Sequence, residues 1–243
     1  MNILQITDLH IAIPDTNPFD VNCIAAFEKT LKEGLSRYDI DWVVLSGDLC
    51  QDKPDPAVYN YVKDIMYATQ KPFYIISGNH DHPALINQYI FDKQNDEKLY
   101  FSTKIEEQTM LFLDTTTGYL SSDQWYWLED ELKTCSEKTV IFMHHPPSLA
   151  HVPHMDINYS FKENDIFTQL LKKHNHIDFY IFCGHYHNER TIIDDNLHIF
   201  ITPSTYMQIS DETPSIKVYH TKPAYRIIHL NDQKLTTFVN YMH

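Results

Sequence analysis

The hydrophobic positions of the chain fall into short runs that alternate with helical patterns. In the first third, apolar runs predict β-strands at Ile3–Ile6, Trp42–Ser46 and Phe73–Ser77. Apolar residues recur at helical spacing after these runs, which predicts amphipathic helices over residues 20–37, 56–69 and 84–91. Strands that alternate with helices favour a mostly parallel central sheet covered by helices.

The middle of the chain continues the alternation. Short apolar runs predict strands at Met110–Asp114, Val140–Met143 and Phe179–Cys183, and helical spacing predicts helices over residues 122–133 and 163–173. Residues 146–162 carry prolines and histidines without either period, so we expect a long loop there. Long loops in compact domains often cover functional sites.

The region from Leu197 onward has no convincing helical pattern. Its β-rich segments are Ile216–His220, Tyr225–Leu230 and Thr236–Tyr241. We therefore expect a second sheet in this region. The 243 residues contain no internal repeat, low-complexity tract or linker, so we predict an α/β fold with one domain over residues 1–243.

Composition narrows the range of partners. With 19 basic and 33 acidic residues the formal charge is −14, which repels polyanions and disfavours extended contact with nucleic acid. A small anionic substrate remains compatible with this net charge if cations are bound in the site. The four cysteines form no CxxC pair, and the opening MNILQITDLH lacks the basic and long apolar segments of a secretory signal. We expect reduced cysteines, no membrane partner and a cytoplasmic location.

Side chains that bind metals follow five of the predicted strands, and three of the five glycines directly precede them. Because open α/β sheets bind ligands at the carboxyl ends of their strands, we expect these groups to converge. The pattern predicts a metal-dependent active site. Its members are Asp8 and His10, Asp48 after Gly47, Asn79 and His80 after Gly78, His144 and His145, and His185 and His187 after Gly184.

Each of these segments also has a plainer interpretation. Asp48 is in a common position for a turn or helix-capping aspartate, and Asn79 for a turn residue with a left-handed backbone. His144 and His145 precede the helix breaker Pro146-Pro147 and are compatible with a polar strand end. The plain interpretations must all hold independently, however, so the joint pattern favours a metal site.

The ordered set Asp-x-His, Gly-Asp, Gly-Asn-His-Asp, His-His-Pro and Gly-His-x-His, spanning residues 8 to 187, resembles the calcineurin-like metallophosphoesterases. Within that family, the opening Leu-Gln-Ile-Thr-Asp-Leu-His, the segment Thr202–Thr205 and the pair Tyr225-Arg226 resemble bacterial class III cyclic-nucleotide phosphodiesterases. The resemblance implies a four-layer α/β/β/α sandwich, with two central sheets flanked by helices. Family members often pair, so it also makes a homodimer a candidate assembly.

The resemblance further implies two divalent metal ions. One would be held by Asp8, His10, Asp48 and His187, and the other by Asp48, Asn79, His144 and His185, so that Asp48 bridges them. Oxygen and imidazole donors without thiolate suit manganese, iron or zinc, and the choice among these stays open. Strand alternation points only one of the neighbouring histidines at the ions, and the resemblance favours His144 over His145.

By the same resemblance the catalytic residues are Asp48 and His80, and Asn79, His80 and His187 contact the substrate. The expected reaction is in-line attack of a metal-bridging hydroxide on a 3′,5′-cyclic nucleotide, with cyclic AMP as the leading candidate, to give the 5′-monophosphate. His80 would stabilise the transition state or protonate the leaving ribose oxygen. Its plainer role is that of a supporting hydrogen-bonding group oriented by Asp81.

Other functions stay open at this point. A broader phosphodiesterase or phosphomonoesterase acting on glycerophosphodiesters or 2′,3′-cyclic nucleotides would use the same metals. A nuclease is disfavoured because the chain lacks basic surface. A non-enzymatic metal-binding scaffold is the remaining alternative, although none of the expected ligands is missing.

Some neighbouring residues have two interpretations each. Tyr186 would stack on a base or pack in the core, and Thr202–Thr205 would approach the substrate, approach a partner subunit or form a turn. His82, His151 and His154 would line the pocket mouth or face solvent.

Overall fold

The structure, a computed structural model, describes residues 1–16, 18–94, 96–105, 108–231 and 234–242. The helices are α1 (Cys23–Arg37), α2 (Pro56–Ala68), α3 (Pro83–Tyr89), α4 (Ser122–Glu131), α5 (Pro153–Asn158) and α6 (Asn164–Lys173), with a 3-10 turn at Pro18–Asp20. The strands are β1 (Asn2–Ile6), β2 (Trp42–Ser46), β3 (Phe73–Ile76), β4 (Phe101–Ile105), β5 (Gln108–Phe112), β6 (Lys138–Phe142), β7 (Asp178–Cys183), β8 (Arg190–Asp194), β9 (Leu197–Ile201), β10 (Gln208–Ile209), β11 (Val218–His220), β12 (Ala224–Leu230) and β13 (Leu235–Tyr241).

The predicted helices are confirmed to within a few residues at their ends, and local chemistry explains where two of them begin. The side chain of Asn22 accepts a hydrogen bond from the Ala25 backbone N–H at 2.7 Å and so caps α1. Asp55 caps α2 by accepting from Ala57 N–H at 2.8 Å, directly before Pro56 at the first helical position.

The first sheet has the order β13-β12-β1-β2-β3. Strands β1, β2 and β3 are parallel, as the alternating pattern predicts, whereas β12 pairs antiparallel with β1 and β13 antiparallel with β12. The second sheet has the order β4-β5-β6-β7-β9-β8, in which β5, β6, β7 and β9 are parallel and the two edge strands are antiparallel. Strands β10 and β11 form a separate two-stranded pair.

The expectation that the region after Leu197 forms its own second sheet is wrong. Strands β12 and β13 return to the first sheet, where they cover the edge of β1 that would otherwise present unpaired backbone groups. Strand β9 joins the second sheet beside β7. The second sheet is therefore built mainly from the middle of the chain.

The expected four layers are present. The inner faces of the two sheets meet in one apolar cluster that includes Ile3 and Val44 from the first sheet and Val140 and Phe182 from the second. Helices α1, α2 and α3 pack on the outer face of the first sheet, and α4 and α6 on that of the second. This arrangement is an α/β/β/α sandwich.

A row of stacked phenylalanines keeps the second sheet in register. Phe101, Phe112, Phe142, Phe182 and Phe200 are direct partners across β4, β5, β6, β7 and β9. Their neighbouring rings are stacked with centroids 4.6, 5.3, 5.6 and 5.1 Å apart. Because a one-residue slip would turn every one of these rings to the other face, the row fixes where β6 and β7 end.

The segment over residues 146–162 is not a plain loop, because α5 lies inside it. The Asp156 carboxylate accepts backbone N–H bonds from Ala150 at 2.9 Å and Val152 at 3.0 Å, which ties the start of the segment to the helix. All four cysteines are unpaired, and Cys23, Cys50 and Cys183 are buried. Within the described ranges, no helix combines the length and the apolar character needed to span a bilayer.

Candidate metal centre

The predicted metal-binding side chains leave the strand ends on strained backbone. Asp8, His10, Asp48, His185 and His187 have φ angles of 55°, 47°, 51°, 66° and 47°. These values lie in the left-handed region that residues with a side chain rarely adopt. Such conformations persist only where the surrounding structure enforces them, and they cluster at functional sites.

These side chains form two groups that share Asp48. One contains Asp8, His10, Asp48 and His187, the other Asp48, His144 and His185, and within each group the donor atoms all lie within 4.8 Å of one another. Every member is buried. The structure thus brings together, from β1, β2, β6 and β7, all the histidines and aspartates that the resemblance assigns to metal binding.

Each of the four imidazoles in these groups has one ring nitrogen hydrogen-bonded to a backbone carbonyl. His10 Nδ1 lies 3.3 Å from Gln51 O, His144 Nδ1 2.8 Å from Ser46 O, His185 Nε2 2.9 Å from Tyr159 O and His187 Nδ1 2.9 Å from Met207 O. A carbonyl only accepts, so this nitrogen must carry the hydrogen. The other nitrogen then keeps its lone pair for a metal, an arrangement typical of metal-bound histidine.

Two contacts are compatible with a cation at these lone pairs. His10 Nε2 and His187 Nε2 lie 3.0 Å apart, and with both hydrogens on Nδ1 their lone pairs would repel. His144 Nε2 is buried without a hydrogen-bond partner among the described residues. It lies 3.3 Å from Asp48 Oδ2, but not aligned for a hydrogen bond.

The pKa values of the buried aspartates and histidines also bear on cation binding. Burial raises the pKa of Asp48, but the neighbouring His144 and His10 outweigh burial and hold that pKa well below the usual range. Burial lowers the pKa of His10 to about 4 and that of His185 to about 3, with neighbouring histidines adding to the effect. Burial acts the same way on His144, but Asp48 and then Asp8 outweigh it and raise its pKa to about 9, so without a bound cation this imidazole is itself protonated and carries positive charge beside the carboxylates. The buried carboxylates therefore demand positive charge, and these residues fit a pair of divalent cations.

Three glycines let the loops approach one another around the carboxylates. A Cβ placed on Gly184 would lie 2.6 Å from Asp8 Oδ2, and one on Gly78 would lie 2.8 Å from Asp48 Cγ. Gly47 combines φ of 100° with a Cβ position 2.8 Å from Gly78 N. No side chain fits at these distances, which explains why glycine precedes the metal-binding residues.

His80 and Asn79 lie at the open side of the centre. His80 Nε2 is 3.9 Å from Asp48 Oδ2, and the His80 backbone N–H donates to Asp48 Oδ1 at 2.9 Å. Asn79 is exposed and lines the cavity above the site. Among the described residues no contact makes Asn79 a ligand, so that role stays a prediction.

The suggestion that Asp81 orients His80 is wrong. The Asp81 carboxylate accepts backbone N–H bonds from Leu49, Cys50 and Gly78 at 3.0 to 3.2 Å, while His80 Nδ1 has no partner among the described residues. Burial and the nearby Asp48 raise the pKa of Asp81 to about 6. Asp81 joins the loops after β2 and β3 and so holds Asp48 in place.

The remaining candidates separate clearly. His145 belongs to neither donor group: its Nδ1 shares a hydrogen bond of 3.0 Å with Thr115 Oγ1, and its ring packs against that of His185 with centroids 4.1 Å apart. Tyr186 is fully buried in the core and cannot stack on a base. Of the three loop histidines only His154 lines the cavity, whereas His82 and His151 are exposed elsewhere.

Thr202–Thr205 lies beneath the centre and does not line the cavity. Ser204 Oγ donates to the Asp8 carbonyl at 3.0 Å, and Thr202 Oγ1 donates to Gln5 Oε1 at 2.7 Å. Arg226, nearly fully buried, donates to Thr202 Oγ1 at 2.8 Å. The segment thus supports the loop that carries Asp8.

A cavity of about 460 Å³ opens above the centre, within the usual size of small-molecule sites. One side is formed by His10, Asp48, Asn79, His80, His185 and His187, and the other mainly by Met155, Tyr159, Tyr206, Met207, Ile209 and Ile216. Sequence reasoning missed this second side and the four carbonyls that hold the histidines. A backbone carbonyl leaves no signal in the residue type, and the apolar residues look like ordinary core.

Comparison with known proteins agrees with this geometry. Residues 1–189 match the calcineurin-like phosphoesterase family. The chain is 32% identical over 243 residues to a probable cyclic nucleotide phosphodiesterase of Fibrobacter succinogenes, covering 99% of this chain and 94% of that protein. It is 28% identical over 250 residues to the 3′,5′-cyclic adenosine monophosphate phosphodiesterase of Escherichia coli, covering 99% and 89%. Its fold is similar to a dimetal phosphatase from Danio rerio, with a TM-score of 0.72, 12% identity and coverage of 98% and 95%.

Proposed function

This chain belongs to the calcineurin-like phosphoesterase family and is a metal-dependent phosphoester hydrolase, and from that premise we propose that it hydrolyses 3′,5′-cyclic nucleotides. Cyclic AMP is the leading substrate and 5′-AMP its product. The observation that carries the proposal is the pair of donor groups sharing Asp48 at the floor of a cavity of mononucleotide size. The names of two relatives matched along most of their length support the substrate class.

In this proposal the two donor groups hold the two ions. Asp8, His10, Asp48 and His187 would hold one, and Asp48, His144 and His185 would hold the other, with Asn79 as a further ligand by the family resemblance. Bound there, two divalent ions supply a nucleophile from water near neutral pH and neutralise the charge that develops on the phosphoryl oxygens. The carbonyls of Gln51, Ser46, Tyr159 and Met207 keep the imidazole lone pairs directed at the ions.

Hydrolysis to the 5′-monophosphate adds the oxygen of water to phosphorus and breaks the bond from phosphorus to O3′, which then needs a proton. We assign its delivery to His80, whose side chain is 30% exposed, lines the cavity and places Nε2 3.9 Å from Asp48 Oδ2. Asn79 and His187, which line the same cavity, contact the phosphoryl oxygens.

The proposal is tested by assaying the purified protein with manganese on cyclic AMP, bis-p-nitrophenyl phosphate and p-nitrophenyl phosphate in parallel. We expect cyclic AMP to be converted to 5′-AMP, with the product measured by chromatography. Turnover of bis-p-nitrophenyl phosphate but not of cyclic AMP would contradict the assignment of cyclic AMP as the substrate. It would favour a phosphodiesterase of broader specificity. Two bound metals without turnover of any of the three would favour the scaffold.

A further inference from the structure

The cavity above the metal centre has a second, apolar side whose residues come from two separate elements. Met155 and Tyr159 belong to α5 and its carboxyl end, and Ile209 and Ile216 belong to the β10–β11 pair and its connection. Ile216 and Tyr159 are 55% and 50% exposed although they line a cavity. We call these four residues the apolar wall.

A hydrogen bond joins the two parts of the wall. His154 Nδ1 lies 3.1 Å from Pro214 O, which ties α5 to the connection between β10 and β11. The His154 ring also contacts the Tyr159 ring, with centroids 5.5 Å apart. Because the Tyr159 carbonyl holds His185 Nε2, the wall and the metal centre are held by one segment.

The charges around the cavity limit what can lie against the wall. The lining residues that the structure describes include Asp48, Asp52 and several histidines, but no lysine or arginine. Anionic groups are therefore attracted only by the metal end. A substrate that fits places its single phosphate there and presents an uncharged group to the wall.

We infer that the apolar wall binds the heterocyclic base of the nucleotide, which rests on the proposed function and makes Ile216 and Tyr159 determinants of substrate affinity. The base is flat, uncharged and attached to the phosphate by one ribose, so a single cavity of about 460 Å³ accommodates both ends. Aromatic and aliphatic side chains bind the face of any base with little dependence on its edge. The wall accordingly favours nucleotides over glycerophosphodiesters and discriminates weakly between purines.

The test compares binding of 5′-AMP and ribose 5-phosphate to the manganese-loaded protein by calorimetry. The two ligands carry the same phosphate, so the ratio of their dissociation constants isolates the base. We expect 5′-AMP to bind at least about 10-fold more tightly, and the advantage to fall to about 2-fold in Ile216→Asn and Tyr159→Ala. Tyr159→Ala removes the ring but keeps the carbonyl that holds His185.

The matched control is Ile166→Asn on α6, an isoleucine that is 62% exposed and lines another surface depression. It should keep the wild-type ratio and the wild-type hydrolysis of bis-p-nitrophenyl phosphate. A ratio near one in the wild type, or an unchanged ratio in both wall variants, overturns the inference even if cyclic AMP is hydrolysed. A high ratio lost in the wall variants supports it even if cyclic AMP is not hydrolysed, so failure of the proposed function is recognised separately.

Discussion

At the scale of single residues, the centre depends on where each imidazole carries its hydrogen. Four histidines donate from one ring nitrogen to a backbone carbonyl, which leaves the opposite nitrogen for a cation. The two carboxylates then supply the negative charge, and Asp48 belongs to both donor groups. Removing a shared ligand should therefore affect both ions, whereas removing a proton donor should affect neither.

Asp48→Asn tests the shared ligand. The substitution keeps the shape of the side chain but removes its charge, so we expect metal content measured by plasma mass spectrometry to fall from two ions towards one or none. Turnover should drop by roughly 10³-fold or more, because the charge stabilisation supplied by the ions is lost. Asp64→Asn, at an exposed position on α2, is the control and should behave as the wild type. Two retained ions with normal turnover would refute the shared site.

His80→Asn separates catalysis from metal binding. We expect kcat on cyclic AMP to fall by about 10²- to 10⁴-fold, the usual contribution of a general acid or base, while both ions remain bound. The control is His82→Asn, two residues away at an exposed position that makes no capping bond to α3. Full kcat in His80→Asn with both ions present would remove His80 from the mechanism.

The residue pattern predicted which aspartates and histidines the structure brings into the two donor groups, but not what holds them. The motif and the strand periodicity predicted two pairs of neighbouring metal-binding side chains, Asp8 with His10 and His185 with His187. In contrast, the acceptors for His10 and His187 are backbone carbonyls of Gln51 and Met207, and any residue type offers the same carbonyl. The role of Asp81 was not predicted for another reason: its carboxylate accepts mainly from three backbone N–H groups, which almost any residue type offers.

At the scale of elements, the strands deliver their ligands because the turns after them are unusually tight. The turns after β2 and β7 place Gly47 and Gly184 against the ligand-bearing loops. Alternation of strands and helices predicted these parallel strands correctly. It could not predict that β12 and β13 return to β1, because the partner of a strand is set by long-range contacts that its own sequence does not encode.

Gly184→Ala tests the turn after β7. The added Cβ would clash with Thr7 Oγ1 and lie 2.6 Å from Asp8 Oδ2, so the segment that carries Asp8 must move, and we expect loss of metal and of activity in a protein that still folds. Gly118→Ala is the control, since its backbone has φ of 77° but its Cβ meets no atom nearer than 3.7 Å. That variant should lose about 1 kcal/mol of stability from backbone strain while keeping both ions. Normal metal content in Gly184→Ala would show that the close approach is not needed.

At the scale of the whole molecule, an acidic protein carries a local site for an anion. The formal charge of −14 repels anions at long range, but two divalent ions reverse the sign within the cavity. Because the carboxylates that would bind the ions are buried, we expect the ions also to stabilise the folded structure. Without them, Asp8 and Asp48 are buried carboxylates whose charge is offset by neighbouring histidines and by the backbone N–H groups of His185 and His80.

Metal removal should therefore lower the stability of the whole chain as well as abolish activity. An ion that binds only the folded state adds about 2.7 kcal/mol when present at 100 times its dissociation constant. For a chain of this size that corresponds to a rise in Tm of roughly 5–10 °C per site. We expect the Tm measured by calorimetry to fall on dialysis against a chelator and to return with added manganese. Asp48→Asn supplies the control, because its Tm should respond weakly to either treatment; an equal response in both proteins would place the stabilising ions elsewhere.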